Sequence, residues 1–594
     1  MIRTPLRPLA RILQARDRGE NPDAIERENI RLRHEQMRDR ARARAEGRLL
    51  VLGLVFFCAF VTIAGRMGVL ANSEPAEPRA SAAGAQILAQ RADIVDRKGR
   101  ILATNFETHS LYAQPQQMIE PERAADALVG IFPDLDRDRL LEDFTGKRKF
   151  LWVKKKLSPE QKQAVHDIGE PGLLFGPREM RLYPNGRLAA HVLGGASFGR
   201  EGVHSAEVIG VAGVEKYFDT RLRDPARGHE PLTLSLDLSV QAAVERILHG
   251  GMRLMNAKGA TGVLLDVETG EVLALASLPD FDPNDRPRPP TEGNASDSPL
   301  FNRAVQGVYE LGSTFKIFAV AQALDLGLVN PTTAIDTRGP LTWGKFRIRD
   351  FRDYGAQMTT TQVIVKSSNI GTARIAQKIG AERQQDFLGK LGFFEPTGLE
   401  IVEAAGAKPL LPPKWSELST MTISYGHGLS ASPLHLAAAY ATLANGGRRV
   451  QPTLVKQPRP VSGPQVMSEE VAATALSMLR KVVTEGTASF GEVPGYAVAG
   501  KTGTADKPKE QGGGYYEDRV IATFASAFPA HDPEYVLVVT LDEPVETSGD
   551  EPRRTAGWTA VPVAAEIIRR IAPLLGLRPE IEPGRMAGIT LTSN

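Results

Sequence analysis

Residues 49–65 run for 17 positions without a charged side chain. As a helix they reach ~26 Å, which is enough to cross the hydrocarbon core of a bilayer. The 48 residues before them contain 13 arginines and 8 acidic residues, whereas residues 67–90 contain Arg79 against Glu74 and Glu77. Because basic residues favour the cytoplasmic side of a membrane, the sequence predicts a single-pass protein with its N-terminus in the cytoplasm and the rest of the chain outside.

A cleaved secretory signal is the alternative interpretation of the same residues. Small residues at 80–82 fit a cleavage site, but signal peptides are only about 15–30 residues long, and this apolar run begins at residue 49. The late start favours an uncleaved anchor. The only cysteine, Cys58, lies within the run, so the chain can form neither an intrachain disulfide nor a cysteine-ligated zinc or iron–sulfur site.

Composition limits the class of protein further. The chain has 594 residues, of which 42% are hydrophobic and 24% charged, so we expect several folded domains rather than disorder. With 72 basic and 70 acidic residues, the charge is too balanced to indicate a nucleic-acid partner. Shifts in composition predict six segments: a basic cytoplasmic tail (1–48), a transmembrane helix (49–66), a linker (67–90), an N-terminal module (91–228), a second domain (229–575) and a C-terminal tail (576–594).

The second domain has strand-like runs at both ends and helical segments between them. The helical segments are alanine- and leucine-rich and end at Gly446 and Gly486. Strands first, helices inserted and strands last indicate one antiparallel sheet with helices packed against it, an α+β fold. The predicted strands are 261–267, 271–276, 498–505, 521–528 and 535–541.

Ser313 and Lys316 form a Ser-x-x-Lys motif that opens a nearly continuous apolar segment. Residues three apart share one face of a helix, and burial of a lysine favours its neutral amine. A neutral amine can take the proton of a neighbouring hydroxyl, and the N–H groups of a helix N-terminus stabilise a developing oxyanion. The pair is therefore a candidate nucleophile and base, although the motif alone also occurs by chance.

Ser367 and Asn369 stand two residues apart in a short predicted loop. There, one hydroxyl could relay a proton and one amide could hold a substrate carbonyl. A helix cap is the simpler interpretation of this pair taken alone.

Residues 501–504 form a Lys-Thr-Gly-Thr motif inside a predicted strand. Alternation places Lys501 and Gly503 on one face and Thr502 and Thr504 on the other. Gly503 permits close approach of another backbone, such as a peptide lying antiparallel to the strand, and the lysine and threonines suit a terminal carboxylate. An exposed edge strand protected by lysine is the alternative.

Together, in this order, the three motifs are the set found in β-lactamases and penicillin-binding proteins, with Ser-Ser-Asn as a looser middle motif. The chain resembles a class B penicillin-binding protein over roughly residues 50–570, and within that family its motifs are most similar to the division-specific, FtsI-type branch. Ala92 and Leu311 depart from a usual Gly and Pro. The supporting segments are 91–99, 181–184 with His191, 210–215, 280–284, 302–304, 367–372, 424–428, 499–505 and 541–544.

The resemblance implies a peptidoglycan D,D-transpeptidase with a β-lactamase-like serine transpeptidase domain behind a β-rich pedestal. It implies that Ser313 attacks the D-Ala-D-Ala amide carbonyl, Lys316 accepts its proton, Ser367 relays a proton to the leaving nitrogen and Asn369 holds the peptide. Which proton Lys316 and Ser367 each handle stays open.

The same resemblance assigns the Lys-Thr-Gly strand to substrate binding. Lys501, Thr502 and Thr504, with Gly503 between them, would bind the terminal carboxylate of the stem peptide. The backbone N–H groups of Ser313 and Thr504 would form the oxyanion hole.

The implied partners are stem peptides as donor and amine acceptor, β-lactams, a membrane-embedded glycan polymerase of the FtsW kind and other division proteins. No cofactor, metal ion or nucleic acid is implied. The implied location is the bacterial inner membrane at the division septum, with the catalytic domain in the periplasm.

Other functions remain as alternatives. An elongation-specific class B enzyme is the nearest, and a non-catalytic septal scaffold or β-lactam sensor is the non-enzyme hypothesis. A β-lactamase or D,D-carboxypeptidase fits the N-terminal anchor and module less well. His427 and His435 are predicted to be structural, and the glycine-rich segment 506–519 is either a loop that gates the cleft or a plain surface loop.

Overall fold

The computed structural model describes residues 13–72, 91–201, 206–227, 229–460, 463–509 and 513–580. Residues 1–12 of the predicted N-terminal tail, most of the predicted linker with the small residues at 80–82, and most of the predicted C-terminal tail therefore lie outside the described residues. The chain divides into two compact units, one of Met1–Glu77, Tyr112–Val153 and Gln163–Leu174 and the other of Pro78–Leu111, Lys154–Lys162 and Phe175–Asn594.

Helix α1 spans Pro22–Asn72. Its section Glu46–Met67 has a mean hydropathy of 2.3 and is long and apolar enough to cross a membrane. The charged part of the predicted cytoplasmic tail from Pro22 onward belongs to the same helix as the span. Ion pairs one turn apart, Arg31–Glu35 at 3.2 Å and Arg42–Glu46 at 2.9 Å, support that helical section, each by about 0.3 kcal/mol.

The region between α1 and residue 233 is rich in strands. Strand β2 pairs with β1, β3 and β4, β1 pairs in parallel with β7, and β5 pairs with β6. The elements are β1 Ile94–Val95, β2 Ile101–Ala113, α2 Pro121–Ile131, α3 Arg137–Thr145, β3 Leu151–Leu157, α4 Pro159–His166, β4 Leu173–Leu182, α5 Ala190–Leu193, β5 Gly195–Glu201, β6 Ala206–Ala212, α6 Gly213–Tyr217, α7 Asp219–Leu222 and β7 Leu232–Thr233.

Segments 91–99, 181–184 and 210–215, which support the family resemblance, meet at Glu215, which is fully buried. Its two carboxylate oxygens accept from Arg91 Nε at 2.6 Å and Arg181 Nε at 2.7 Å. Arg91 also donates to Asp219 at 2.7 Å. A buried carboxylate of this kind is tolerated only when it is paired, so these arginines are required by the fold.

The remaining elements lie between residues 238 and 571. They are α8 Leu238–Leu254, β8 Gly259–Asp266, β9 Val272–Leu278, α9 Lys316–Asp325, β10 Ala334–Asp336, β11 Leu341–Trp343, β12 Phe346–Ile348, β13 Gln357–Thr359, α10 Thr360–Val365, α11 Asn369–Ile379, α12 Ala381–Lys390, α13 Val402–Ala405, α14 Glu417–Ser424, α15 Pro433–Ala444, α16 Glu469–Glu485, β14 Ala499–Pro508, β15 Tyr515–Phe528, β16 Tyr535–Asp542 and α17 Ala560–Ile571.

The predicted antiparallel five-stranded sheet is confirmed, with the order β14-β15-β16-β8-β9. Every residue of β9 and β16 is buried, because helices cover the sheet: α8 and α17 pack on each other and on the strands, and α15 packs on β8, β15 and β16. Strand β14 lies at the edge of the sheet, so one side of its backbone is open to pairing with a peptide.

Candidate active site

Ser313 lies in a 3₁₀ turn, Gly312–Phe315, that runs directly into α9. Gly312 has a φ of +56° and its amide donates to the Gly426 carbonyl at 3.2 Å. A Cβ on Gly426 would lie 1.9 Å from the Gly312 carbonyl oxygen. The turn and the loop after α14 therefore meet backbone to backbone, and this contact fixes the serine just before the helix.

Helix α9 is buried from Lys316 through Ala323, as its apolar sequence predicts. Phe315 and Phe318 pack on Phe393 with ring centroids 4.8 and 5.7 Å apart. Tyr440, from the fully buried α15, donates its hydroxyl to the Thr314 carbonyl at 2.8 Å. Rigid aromatic packing on the helix thus holds the turn that carries Ser313, the candidate nucleophile.

The Lys316 side chain is fully buried and its Nζ donates to both the carbonyl oxygen (2.5 Å) and the Oγ (3.0 Å) of Ser367. Burial holds the pKa of Lys316 well below its ordinary value; the charge of Lys501 lowers this pKa further and the Asp350 carboxylate opposes it. A neutral amine has two N–H groups and one lone pair. The two bonds to Ser367 use both N–H groups, which leaves the lone pair free to accept a proton.

Ser367 is the point at which all three motifs meet. Its Oγ also accepts from Lys501 Nζ at 3.0 Å, and Lys501 in turn donates to the Thr502 carbonyl at 3.1 Å. Ser367 has a φ of +64°, a left-handed conformation that is uncommon for serine and costs conformational energy. Lys501 is fully buried, and burial lowers its pKa to about 7. The hydroxyl of Ser367, whose backbone is strained, therefore lies between two amines whose burial favours their neutral forms.

The rest of the middle motif is held by Asp350, a residue that sequence analysis missed. Its Oδ2 accepts from Ser368 Oγ at 2.7 Å, and its Oδ1 accepts from the backbone amides of Asn369 (2.5 Å) and Ile370 (3.0 Å). Ser368 also caps α11 by accepting from the Gly371 amide at 2.9 Å. A carboxylate at a helix N-terminus is favourable, so Asp350 fixes the start of α11 and with it the loop that carries Ser367.

Asn369 lies in the first turn of α11. Its side-chain Nδ2 donates to the Arg349 carbonyl at 2.8 Å, so the amino end of the amide serves the fold. Within the described part of the chain, the Asn369 side chain forms no hydrogen bond with Lys316, Ser367 or Lys501. The side chain is half-buried, which leaves its carbonyl oxygen as the end that a ligand can reach.

The Lys-Thr-Gly strand lies against the turn that carries Ser313. A Cβ on Gly503 would lie 2.2 Å from the Leu311 carbonyl oxygen, so the close approach that this glycine allows is made by the chain's own backbone. Thr502 shares a hydrogen bond with the Thr487 hydroxyl at 2.7 Å, and Thr504 Oγ1 accepts from the Ala556 amide at 3.0 Å. Both threonine hydroxyls thus have hydrogen-bond partners within the fold, whereas from the sequence we considered them only as partners of a terminal carboxylate.

Glu310, three residues before Ser313, was also missed. Its carboxylate accepts from the Gly428 amide at 2.7 Å and from the Tyr515 hydroxyl at 3.0 and 3.1 Å. Tyr515 opens β15, and β14 extends to Pro508, so most of the predicted loop 506–519 is a β-hairpin; residues 510–512 lie outside the described residues. Glu310 therefore connects the segment just before Ser313 to that hairpin.

His435 has the structural role expected of it. Its Nδ1 contacts Ser432 Oγ at 2.7 Å in the cap of α15, and its Nε2 contacts the Glu395 carbonyl at 2.9 Å. His427 lies between the rings of Tyr425 and Tyr515, at centroid distances of 5.4 and 6.4 Å. Within the described ranges, no group of three or more His, Cys, Asp or Glu side chains could hold a metal ion.

The model of the penicillin-binding protein transpeptidase domain matches residues 260–569, and that of the penicillin-binding protein dimerisation domain matches residues 86–230. The chain belongs to the penicillin-binding protein transpeptidase family. A dimerisation domain in front of a transpeptidase domain is the class B arrangement, so the predicted family is confirmed.

Relatives in this family cover nearly the whole chain. The probable peptidoglycan D,D-transpeptidase FtsI of Caulobacter vibrioides is 35% identical, over 93% of this chain and 93% of its own length. FtsI of Escherichia coli is 28% identical, over 83% of this chain and 85% of its own. Penicillin-binding protein 3 of Mycobacterium tuberculosis, solved with ampicillin, has a TM-score of 0.63 at 28% identity and covers 84% of this chain and 97% of its own; its aztreonam complex has a TM-score of 0.62.

Proposed function

We propose that this class B penicillin-binding protein is a peptidoglycan D,D-transpeptidase that crosslinks stem peptides at the division septum through an acyl-enzyme on Ser313. The observation that carries the proposal is the Ser367 hydroxyl, which accepts a hydrogen bond from Lys316 and another from Lys501, both at 3.0 Å. The names of the FtsI relatives support the septal role.

The first step is binding of the donor stem peptide. Its D-Ala-D-Ala end lies along the open edge of β14, where backbone pairing supplies affinity. Its terminal carboxylate approaches the Lys-Thr-Gly motif, and a carboxylate near Lys501 favours the charged amine despite the burial that lowers its pKa to about 7. Asn369 holds the peptide through its amide oxygen.

The second step is acylation. Ser313 Oγ attacks the carbonyl carbon of the penultimate D-Ala while its proton passes to the lone pair of Lys316. The oxyanion lies between the backbone N–H groups of Ser313 and Thr504. Support for that position comes from Gly312, where an added Cβ would lie 3.2 Å from the Thr504 nitrogen, so the two amide groups belong to neighbouring segments.

The third step is expulsion of D-Ala and transfer. The amide C–N bond breaks as a proton moves from Lys316 through the Ser367 hydroxyl to the leaving nitrogen, which departs as the amine of D-Ala. The amine of a neighbouring stem peptide then attacks the ester carbon, Ser313 recovers its proton, and a new amide crosslink remains. We propose that β-lactams acylate Ser313 in the same way, since one relative, penicillin-binding protein 3 of Mycobacterium tuberculosis, has been solved with ampicillin and with aztreonam.

The proposal includes the predicted domain boundaries and the membrane arrangement. Helix α1 crosses the inner membrane once with residues 1–48 in the cytoplasm, and the domains from residue 91 onward lie in the periplasm. Since the transpeptidase chemistry supplies only crosslinks, the glycan strands come from a membrane polymerase of the FtsW kind, acting with other division proteins.

Labelling with a fluorescent penicillin tests the enzyme proposal. We expect the full chain to label and Ser313→Ala to remain unlabelled while keeping the wild-type thermal midpoint. A folded wild-type chain that never labels would favour the non-catalytic scaffold. Depletion in the host tests the septal role: filamentous cells support it, whereas rounded cells would assign the enzyme to elongation.

A further inference from the structure

Strands β11 and β12 form a hairpin with a two-residue turn, next to the Ser-Ser-Asn motif. The outer surface of this hairpin is aromatic. Trp343 and Phe346 face each other across the turn and are 37% and 61% exposed, and Phe351, just beyond β12, is 91% exposed. Large apolar side chains grouped on a surface in this way mark interaction sites more often than single ones do.

The same short segment is basic. Lys345, Arg347, Arg349 and Arg352 are all exposed, and among the described residues none of the four forms an ion pair. The two acidic residues nearby serve the fold: Asp350 caps α11, and Asp353 accepts from the Gly355 amide at 2.8 Å. The hairpin therefore presents unpaired positive charge between exposed aromatic rings.

The inner side of the hairpin is fixed to the catalytic machinery. Leu341 and Ile348 pack with Ile370 and Ala373 of α11 in a small core cluster that is separate from the main one. The Arg349 carbonyl accepts from Asn369, so the strand that carries the aromatic and basic surface is bonded directly to a proposed substrate-binding residue. A ligand on the hairpin would therefore lie on the segment that is bonded to Asn369.

We infer that this hairpin, residues 341–353, is a binding subsite for the peptidoglycan strand itself, an acidic sugar–peptide polymer. The inference rests on the proposed function. Charge complementarity identifies the occupant: stem peptides carry free carboxylates that pair with arginine and lysine, and the flat apolar faces of sugar rings pack on exposed aromatic rings. The subsite binds the polymer while Ser313 reacts with one of its stem peptides. Small β-lactams react with Ser313 without contacting the subsite.

Binding of soluble, uncrosslinked peptidoglycan strands to the full chain in detergent tests the aromatic part of the subsite. The protein carries Ser313→Ala so that no strand is consumed. The aromatic triple variant combines Trp343→Ala, Phe346→Ala and Phe351→Ala, and we expect it to bind strands about tenfold more weakly than the parent does. Phe351→Ala alone should also bind more weakly, and its ring is too exposed for the change to disturb the core. Leu254→Ala, which removes another exposed apolar side chain, is the matched control and should bind as the parent does.

The charged part is tested with Lys345→Gln, Arg347→Gln and Arg352→Gln combined. We expect this variant also to lose about tenfold in affinity for native strands, but to bind strands with amidated carboxylates as the parent does, because the partner charges are then gone. Lys378→Gln, an exposed lysine on α11, is the control. Native strand binding that is unchanged in both hairpin variants overturns the inference, and so does a loss confined to anionic lipid vesicles or to a purified division protein.

Acylation separates this inference from the proposed function. With Ser313 restored, the hairpin variants should react with ampicillin within about twofold of the wild-type rate, because the β-lactam occupies only the catalytic cleft. Normal acylation with unchanged strand binding removes the subsite and leaves the transpeptidase proposal standing. Absence of acylation in the wild-type chain itself removes the proposed function.

Discussion

The charge of Lys501 should control how fast a carboxylate-bearing β-lactam acylates Ser313. Burial lowers the pKa of Lys501 from 10.5 to about 7, so about nine tenths of the free enzyme carries the charge at pH 6 and about one tenth at pH 8. Only the charged amine attracts the carboxylate. The second-order acylation constant for ampicillin should therefore fall about tenfold between pH 6 and pH 8.

The first-order rate at saturating ampicillin should lack this alkaline decline, because a bound carboxylate keeps the proton on Lys501. Burial and the charge of Lys501 hold the pKa of Lys316 well below its ordinary value, which favours its neutral amine as the base. Rapid-mixing fluorescence over pH 5–9 measures both constants. Lys501→Arg, which stays charged, should lose the alkaline decline in whatever activity remains. A second-order constant that is flat or rises from pH 6 to pH 8 in the wild type would refute the reasoning.

The same burial has a stability consequence with a defined sign. Between pH 7 and 10.5 the unfolded chain binds a proton that folded Lys501 does not, so stability rises with pH across that window. The cost of burial is fully present below pH 7, where it is about 5 kcal/mol at 1.36 kcal/mol per pH unit, and it is gone above pH 10.5.

Three further changes give distinct results. Lys316→Met should lower the acylation rate by about 10²–10⁴ without lowering the thermal midpoint, because it removes a buried amine; Lys378→Met is the exposed control, and stopped-flow acylation within tenfold of wild type would remove the proposed base. In Gly503→Ala the new Cβ would lie 2.2 Å from the Leu311 carbonyl oxygen, so the Leu311 backbone must move by about 1 Å. Acylation should therefore slow about a hundredfold. Gly130→Ala, where the added Cβ meets open space, is the control and should leave the acylation rate unchanged. Glu215→Ala leaves two buried arginines short of a partner and should cost about 3–5 kcal/mol; an unchanged thermal midpoint would show that the buried network is not needed.

The sheet was predictable because strands β8, β9 and β16 are buried almost throughout and appear in the sequence as apolar runs. The predicted run 535–541 is β16, Tyr535–Asp542, and the predicted run 261–267 is β8, Gly259–Asp266. Helix α1 was harder, since a charge-laced segment and an apolar span look like separate elements although they form one helix. Composition changes along it, but the helical hydrogen bonding does not.

The site was predictable at the level of motifs but not of partners. The residue types and their order indicate Ser313, Lys316 and Lys501 as candidates, and the structure brings both lysines to the hydroxyl of Ser367. Asp350 and Glu310 escaped attention because an acidic residue in a loop usually serves solvation, and only the fold shows what each one binds.

Two features needed three-dimensional information. Local sequence does not reveal that Ser367 adopts a φ of +64°, since serine seldom does so without support from surrounding contacts. For Gly503 the sequence predicted a close backbone approach but could not tell whether a ligand or the chain itself makes it; the structure shows the Leu311 carbonyl there. Long-range packing, not local preference, decides both.

Mapping the covalent adduct of ampicillin on the full-length chain is the most direct test of the mechanism. After brief reaction and digestion, mass spectrometry should find one β-lactam adduct, on the peptide that contains Ser313, and none in Ser313→Ala. An adduct on Ser367 or on any other residue, with Ser313 unmodified, would contradict the mechanism.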